Sequence, residues 1–224
     1  MTEHDISAFL SDLEANHSKI KDNLETLYSL LEDDDEAFRV IELLSNEFND
    51  KHEEIFINFL SHEEDTLRCQ AADALRKSKS TDVLEKLKEL SKNDDSYLVR
   101  GYSAQSVYDI YGNIYSSEKN AELIEFYAKL TQDESEGWVL AIIFTKLYLL
   151  GEVDCLDNLI QLLDDEDYHT RISVVLSFDE ILDDNNNVII KSVLTKALKE
   201  RENQYASVRE KILYVLDKIK ATYP

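Results

Sequence analysis

A chain of 224 residues is long enough to bury a substantial core, and it carries 47 Asp and Glu against 24 Lys and Arg, a formal charge of −23. That excess of anions argues against nucleic acid and anionic membranes as partners, because phosphate contacts need stripes of Lys and Arg. Four Gly and a single Pro leave few breakers, which excludes most β-rich architectures and reads as an all-α protein.

In chain order, Ile6, Phe9, Leu13, Ile20, Leu24, Leu27 and Leu31 form a helical stripe over residues 3–31, one long helix or two shorter ones. Its first part, 1–19, reads as an N-terminal cap. Paired helices are expected near 20–50, 52–78, 81–112, 119–151, 153–183 and 186–220, with breaks at "KSKST", "GNIYSSEKN", "GEVD" and "DDNNN". Within each pair an apolar stripe, such as Ile55/Phe56/Phe59/Leu60 or Val83/Leu84/Leu87/Leu90, ends at a short polar turn and a second apolar helix follows. No linker is long enough to separate two domains, so residues 1–224 read as a single one. "MTEHDISAFLSDLE" has no basic segment ahead of an apolar core, and no apolar run reaches the span of a bilayer. Cys69 and Cys155 lie 86 positions apart without a CxxC, which fits buried thiols in a reducing compartment. A soluble cytoplasmic protein, monomeric when free, is the expectation.

One arginine stands just inside the apolar run of several second helices: "DTLRCQAADALRK", "SYLVRGYSAQSVYDIYG", "DYHTRISVVLSF" and "YASVREKILYVL". The spacings are 32 residues from Arg68 to Arg100, 71 (two units) from Arg100 to Arg171, and 38 from Arg171 to Arg209. A period of that length built from helix pairs means an α-solenoid. The second helices resemble those of HEAT repeats, in which an Asp in the intra-repeat turn precedes an apolar residue, an Arg, and small or branched apolar residues. Asp65, Leu67, Arg68, Ala71, Ala72 and Leu75 match best. Asp95, Val99, Arg100, Ala104 and Val107 follow, then Asp167, Arg171, Val174 and Val175. The last unit keeps Val208, Arg209, Ile212, Leu213 and Leu216 without the Asp, the fourth has Leu140 in place of Arg, and the first, around Asp34 and Arg39, is degenerate. The resemblance implies a right-handed α-α superhelix of about six pairs, residues 20–220, behind the cap. It also implies a ladder in which the arginines bridge turn carboxylates, a structural role.

Function has to come from the surface. The intra-repeat turns "EDDDE", "SHEED", "KNDDS", "QDESE", "DDEDY" and "ERENQ" hold 19 of the 47 acids, which predicts an acidic ridge. Capping and solubility account for one or two acids per turn. The remainder suits a field that attracts a basic protein, with Asp33, Asp34, Asp35, Asp164, Asp165 and Asp167 as candidate contacts. "WVLAIIFTKLYLL", residues 138–150, is apolar on all sides and is expected to face the concave side with Trp138, Ile142, Tyr148 and Leu149; Thr145 shares that face. Beside it Tyr108, Tyr111 and Tyr115 share one helical face. These residues are either inner core or the floor of an aromatic groove.

Enzymatic readings fare worse. His52-Glu53 and His62-Glu63 resemble the His-Glu pairs of HEAT-type di-iron hydroxylases, but they lie ten apart on a first helix and its turn. "DDNNN" lacks the Gly and bidentate Glu of a calcium loop. HEAT-like alkylpurine DNA glycosylases have a similar length, but they need a basic concave face, and the charge here has the wrong sign. The sequence therefore predicts a non-catalytic scaffold without cofactor. Its partner would be a basic protein, bound by an inhibitor or immunity-type protein or, alternatively, by an adaptor bridging two proteins; a HEAT-type metal-dependent enzyme is the remaining, lesser alternative.

Overall fold

The computed structural model describes residues 2–115, 120–200 and 205–223, and all regular structure among them is helical. The chain divides into two compact units, 1–117 and 118–224, where the sequence reads as one domain. Of the expected turn at 200–204, residues 201–204 lie outside the described residues.

In the first unit the N-terminal stripe resolves into α1 (Glu3–Ala15), a 3-10 turn (His17–Asn23) and α2 (Leu24–Leu30). α1 is closed by a capping box between Thr2 and Asp5. It ends at Asn16, whose φ/ψ of −138/69 leave the helical region. α3 (Asp34–Ser45), α4 (Asp50–Phe59), α5 (Asp65–Ala74), α6 (Thr81–Asn93) and α7 (Tyr97–Ile114) complete the pairs α2/α3, α4/α5 and α6/α7. Side-chain caps at Asp33, Asn49 and Ser80 start α3, α4 and α6. α3, α5 and α7 pack side by side. Ala71, Ala72 and Ala74 of α5 and Gly101, Ser103, Ala104 and Ser106 of α7 are all buried, and small side chains let these backbones approach closely. The hydroxyls of Ser103 and Ser106 have no hydrogen-bond partner.

In the second unit, α8 (Asn120–Asp133), α9 (Gly137–Leu149), α10 (Cys155–Leu162), α11 (Tyr168–Ile181), α12 (Asn187–Glu200) and α13 (Ala206–Thr222) make three further pairs. Here α9, α11 and α13 lie side by side around Leu159, Val174, Val175, Phe178, Leu194 and Val215. "DDNNN" is a structural turn. The Asp183 carboxylate accepts from the backbone N–H groups of Asn185 and Asn186, and the buried Asn186 amide donates to Ile181 O (2.7 Å) and Tyr148 Oη (3.0 Å).

The repeat arginines do more than bridge carboxylates. Arg68 Nη1 donates to the carbonyls of His62 and Glu63, both at 2.8 Å. Arg100 Nη1 donates to Asp94 O and Asp95 O (3.0 and 3.3 Å), and Arg171 Nη1 to Asp165 O and Glu166 O (2.5 and 3.0 Å). Each arginine is the fourth residue of its helix and grips the carbonyls six and five positions earlier. The side chain at that sixth position completes the closure by accepting the backbone N–H two residues on. These bonds are Glu64 to His62 Nδ1 (3.1 Å), Ser96 to Asp94 (2.9 Å) and Asp167 to Asp165 (2.8 Å). Where Leu140 replaces the arginine, Glu134 accepts from Ser135 and Glu136, both at 2.9 Å. Arg68 is also bidentate on Asp94 of the next turn, both bonds at 2.9 Å, and Ser96 Oγ donates to Asp65 at 2.7 Å, so adjacent turns are joined by a carboxylate rung at this step. Arg39 is out of register: Ala37 holds the fourth position of α3, and Arg39 reaches Glu14 (2.7 Å) and Ser11 (3.1 Å) on α1.

Two stability predictions follow from these contacts. Arg171 is 3% exposed, so Arg171→Leu leaves two turn carbonyls without their donor and should cost about 1–3 kcal/mol; an unchanged urea midpoint would show water replacing the guanidinium. A Cβ at Gly137 would sit 2.8 and 2.9 Å from both γ-atoms of the β-branched Thr170, which no rotamer change relieves on both sides. Gly137→Ala should therefore destabilise by about 1–3 kcal/mol in thermal melts.

Candidate functional site

The described intra-repeat turns of each unit meet at one edge. In the first unit His62 Nε2 lies 3.3 Å from Asp34, and Arg68 joins the next turn at Asp94. In the second, Gly137 packs on Thr170 and Asp165. The half-exposed carboxylates Asp65, Asp94, Glu134 and Asp165 each accept a hydrogen bond from the fold. Glu32, Asp33, Asp34, Asp35, Glu63, Glu64 and Asp95 stand exposed on the first unit, and Asp133, Glu136, Asp164, Glu166 and Asp167 on the second. Two of these exposed candidates are caps. Asp33 accepts from Asp35 N, and Asp167 accepts from His169 N and Thr170 N.

The aromatic candidates divide between the units. Tyr108 is half-buried, but Tyr111 is 2% exposed, tilted against Tyr115 with ring centroids 4.7 Å apart. On α9 Trp138 is half-buried, while Ile142 and Thr145 are buried, the latter donating to Ala141 O at 2.6 Å. Tyr148 is half-buried and its hydroxyl accepts from Asn186. Leu149 is exposed. Tyr111 and Ile142 are thus corrected to core: both lie on sides of their helices that neighbouring elements cover.

A hollow of the first unit lies elsewhere, on α3, α5 and α7 beside α1 and the 3-10 turn. It measures about 640 Å³ and is lined by Glu14 and His17, by Phe38, Glu42, Leu43, Ser45 and Asn46, by Thr66, Cys69, Gln70 and Asp73, and by Leu98 and Tyr102. Phe38 is 40% exposed, with Leu98 and Tyr102 half-buried. Burial, and then the nearby Asp73, push the Tyr102 phenol up from its ordinary value. The Arg39 hydrogen bond holds the Glu14 carboxyl down. Sequence reasoning passed over these residues because none forms a motif. The available signal was their fixed offset from the fourth helical position: Thr66 and Leu98 two before it, Gln70 and Tyr102 two after.

His52 is 1% exposed and fully engaged. The Glu47 carbonyl can only accept, which puts the imidazole proton on Nδ1 (2.7 Å) and leaves Nε2 to accept from Tyr28 Oη (2.9 Å). His62 faces Asp34 at the turn instead. Among the described residues no three His, Cys, Asp or Glu side chains converge where a metal ion would sit, and no helix is long and apolar enough to cross a membrane.

Stacked helix pairs with side-chain-closed turns define an α-solenoid repeat protein. A family model described as HEAT repeats matches residues 24–107, from α2 into α7, and this stretch of the chain is built of HEAT repeats, a fold that serves as a protein-interaction scaffold and is typically non-catalytic. No curated protein matches the chain.

Burial pushes the Cys69 thiol from its ordinary 9.0 to about 12, with Asp65 adding to the rise, and pushes Cys155 to about 11. Folding therefore favours the protonated thiols. Their contribution is complete below about pH 9, where the unfolded thiols are protonated too, and is lost as pH climbs through 11 and 12. Iodoacetamide at pH 8 should label both cysteines only after unfolding; rapid labelling of Cys69 in the native state would mean that the groove wall opens.

Proposed function

We propose that the protein is a non-catalytic cytoplasmic scaffold that captures a basic protein, in the manner of an inhibitor or immunity protein that covers its partner's working surface. The observation that carries this reading is the division of labour at the turns. Side chains at fixed positions close the backbone, and besides the two capping aspartates, Asp33 and Asp167, that leaves ten exposed turn carboxylates beyond what closure needs. Exposed like charges at a rim raise encounter rates with a partner of opposite sign.

One observation favours the adaptor alternative. Lys191, Lys196 and Lys199 of α12 line a shallow hollow of about 480 Å³ with Val188, Ser192 and Thr195, a locally basic face on an acidic chain. A bridging protein would use two surfaces of opposite sign, and an inhibitor one.

The test is capture from native lysate at low and high salt with mass spectrometry, followed by kinetics on the captured protein. The partner should have a basic isoelectric point. The exposed, non-capping set Asp34→Asn, Asp35→Asn, Glu63→Gln and Glu64→Gln should slow its association about tenfold and flatten the salt dependence, with dissociation little changed. An acidic partner, or an association rate indifferent to these four substitutions, would overturn the reading.

A further inference from the structure

We propose that the groove of the first unit is the seat for one segment of that partner, a cationic amphipathic helix or strand whose apolar side chains rest on Phe38, Leu98 and Tyr102 and whose Lys or Arg heads reach Glu42 and Asp73. The proposal rests on the basic-partner reading and adds a place and a chemistry to it.

The first argument is the floor. An aromatic ring that is 40% exposed, with a half-buried leucine and tyrosine, forms the wall of a hollow on three adjacent helices, and contacts of this kind supply most of the affinity at protein interfaces. A volume near 640 Å³ suits a few side chains rather than a whole domain. The second argument is charge. Glu14, Glu42 and Asp73 line the hollow, and no Lys or Arg does. The two guanidiniums at its margin are already held, Arg39 by Glu14 at 2.7 Å and Arg76 by Asp109 (2.5 Å) with Asp73 at 3.4 Å. Lys77 Nζ also stands at this margin, donating to Ser45 O at 2.9 Å, and Glu36 lies 3.9 Å from Arg39, so Glu14, Glu36, Glu42, Asp73 and Asp109 face three cations and the margin stays negative after internal pairing. A long basic side chain matches such a site in both parts, since its methylene stem covers apolar surface while its head stays at a charged rim. The third argument is continuity: α3 and α5 carry both the groove and the exposed turn acids Asp34, Asp35 and, just ahead of α5, Glu63 and Glu64. A cation attracted to the turns is delivered to the same two helices.

The probe is a labelled helical peptide of alternating leucine and lysine pairs, compared with its glutamate counterpart and with an unstructured oligolysine of equal charge. Fluorescence anisotropy on the full-length protein should show the leucine-lysine peptide binding at least tenfold more tightly than oligolysine, and the glutamate peptide not at all. Phe38→Ala with Tyr102→Ala should speed dissociation about tenfold, and Glu42→Gln with Asp73→Asn should weaken binding by a similar factor. The four turn substitutions above should act on association alone. Circular dichroism melts check that each variant folds, and Phe38→Leu, which keeps an apolar side chain at the position, should restore most of the affinity. If the groove pairs leave the peptide's affinity unchanged while the turn variants abolish it, the groove proposal falls and the basic-partner reading stands. If cationic and acidic peptides bind alike, both fall.

Discussion

A helical repeat must turn its chain sharply between two helices, and the backbone polar groups exposed at that turn have to be satisfied before repeats can stack. Here the requirement is met from within the repeat. The fourth residue of the second helix, at Arg68, Arg100 and Arg171, donates to two turn carbonyls, and the side chain six positions earlier accepts a turn N–H. With the turn closed, the start of each second helix is fixed relative to its own first helix. That places α3, α5 and α7 in one layer and α9, α11 and α13 in the other unit's layer. The groove, the core and the exposed acids all inherit their positions from this closure.

The helix pairs were legible because apolar periodicity and the arginine spacing both report the repeat. What the arginines bond was not legible. The acceptor at the sixth position is His62, Asp94, Glu134 or Asp165, so chemical role is kept while residue type changes, and Asp65, Asp95 and Asp167 drew attention by type alone. Arg39 misled for the converse reason: it has the right type in the wrong register, with Ala37 at the equivalent position.

The site was less legible than the fold, for reasons of geometry. A tyrosine stripe at helical spacing describes one face of α7, and only packing decides which of its members is covered; Tyr111 is core while Tyr108 remains half-buried. α9 follows the same rule, with Ile142 buried and Leu149 exposed. The hollow of the first unit combines residues from five elements, and no linear pattern contains Glu14, Phe38, Asp73 and Tyr102 together.

Turn closure inside each repeat also separates two kinds of inheritance. A duplicated or deleted repeat carries its own donor and acceptor with it, so repeat number can change without leaving a neighbour's turn open. The groove-lining positions two before and two after the gripping residue take no part in closure; Thr66 and Gln70 occupy them on α5, Leu98 and Tyr102 on α7. Substitutions there alter what the groove recognises and leave the frame intact, so a lineage of such chains could exchange partners as fast as surface residues drift while conserving hardly more than a turn.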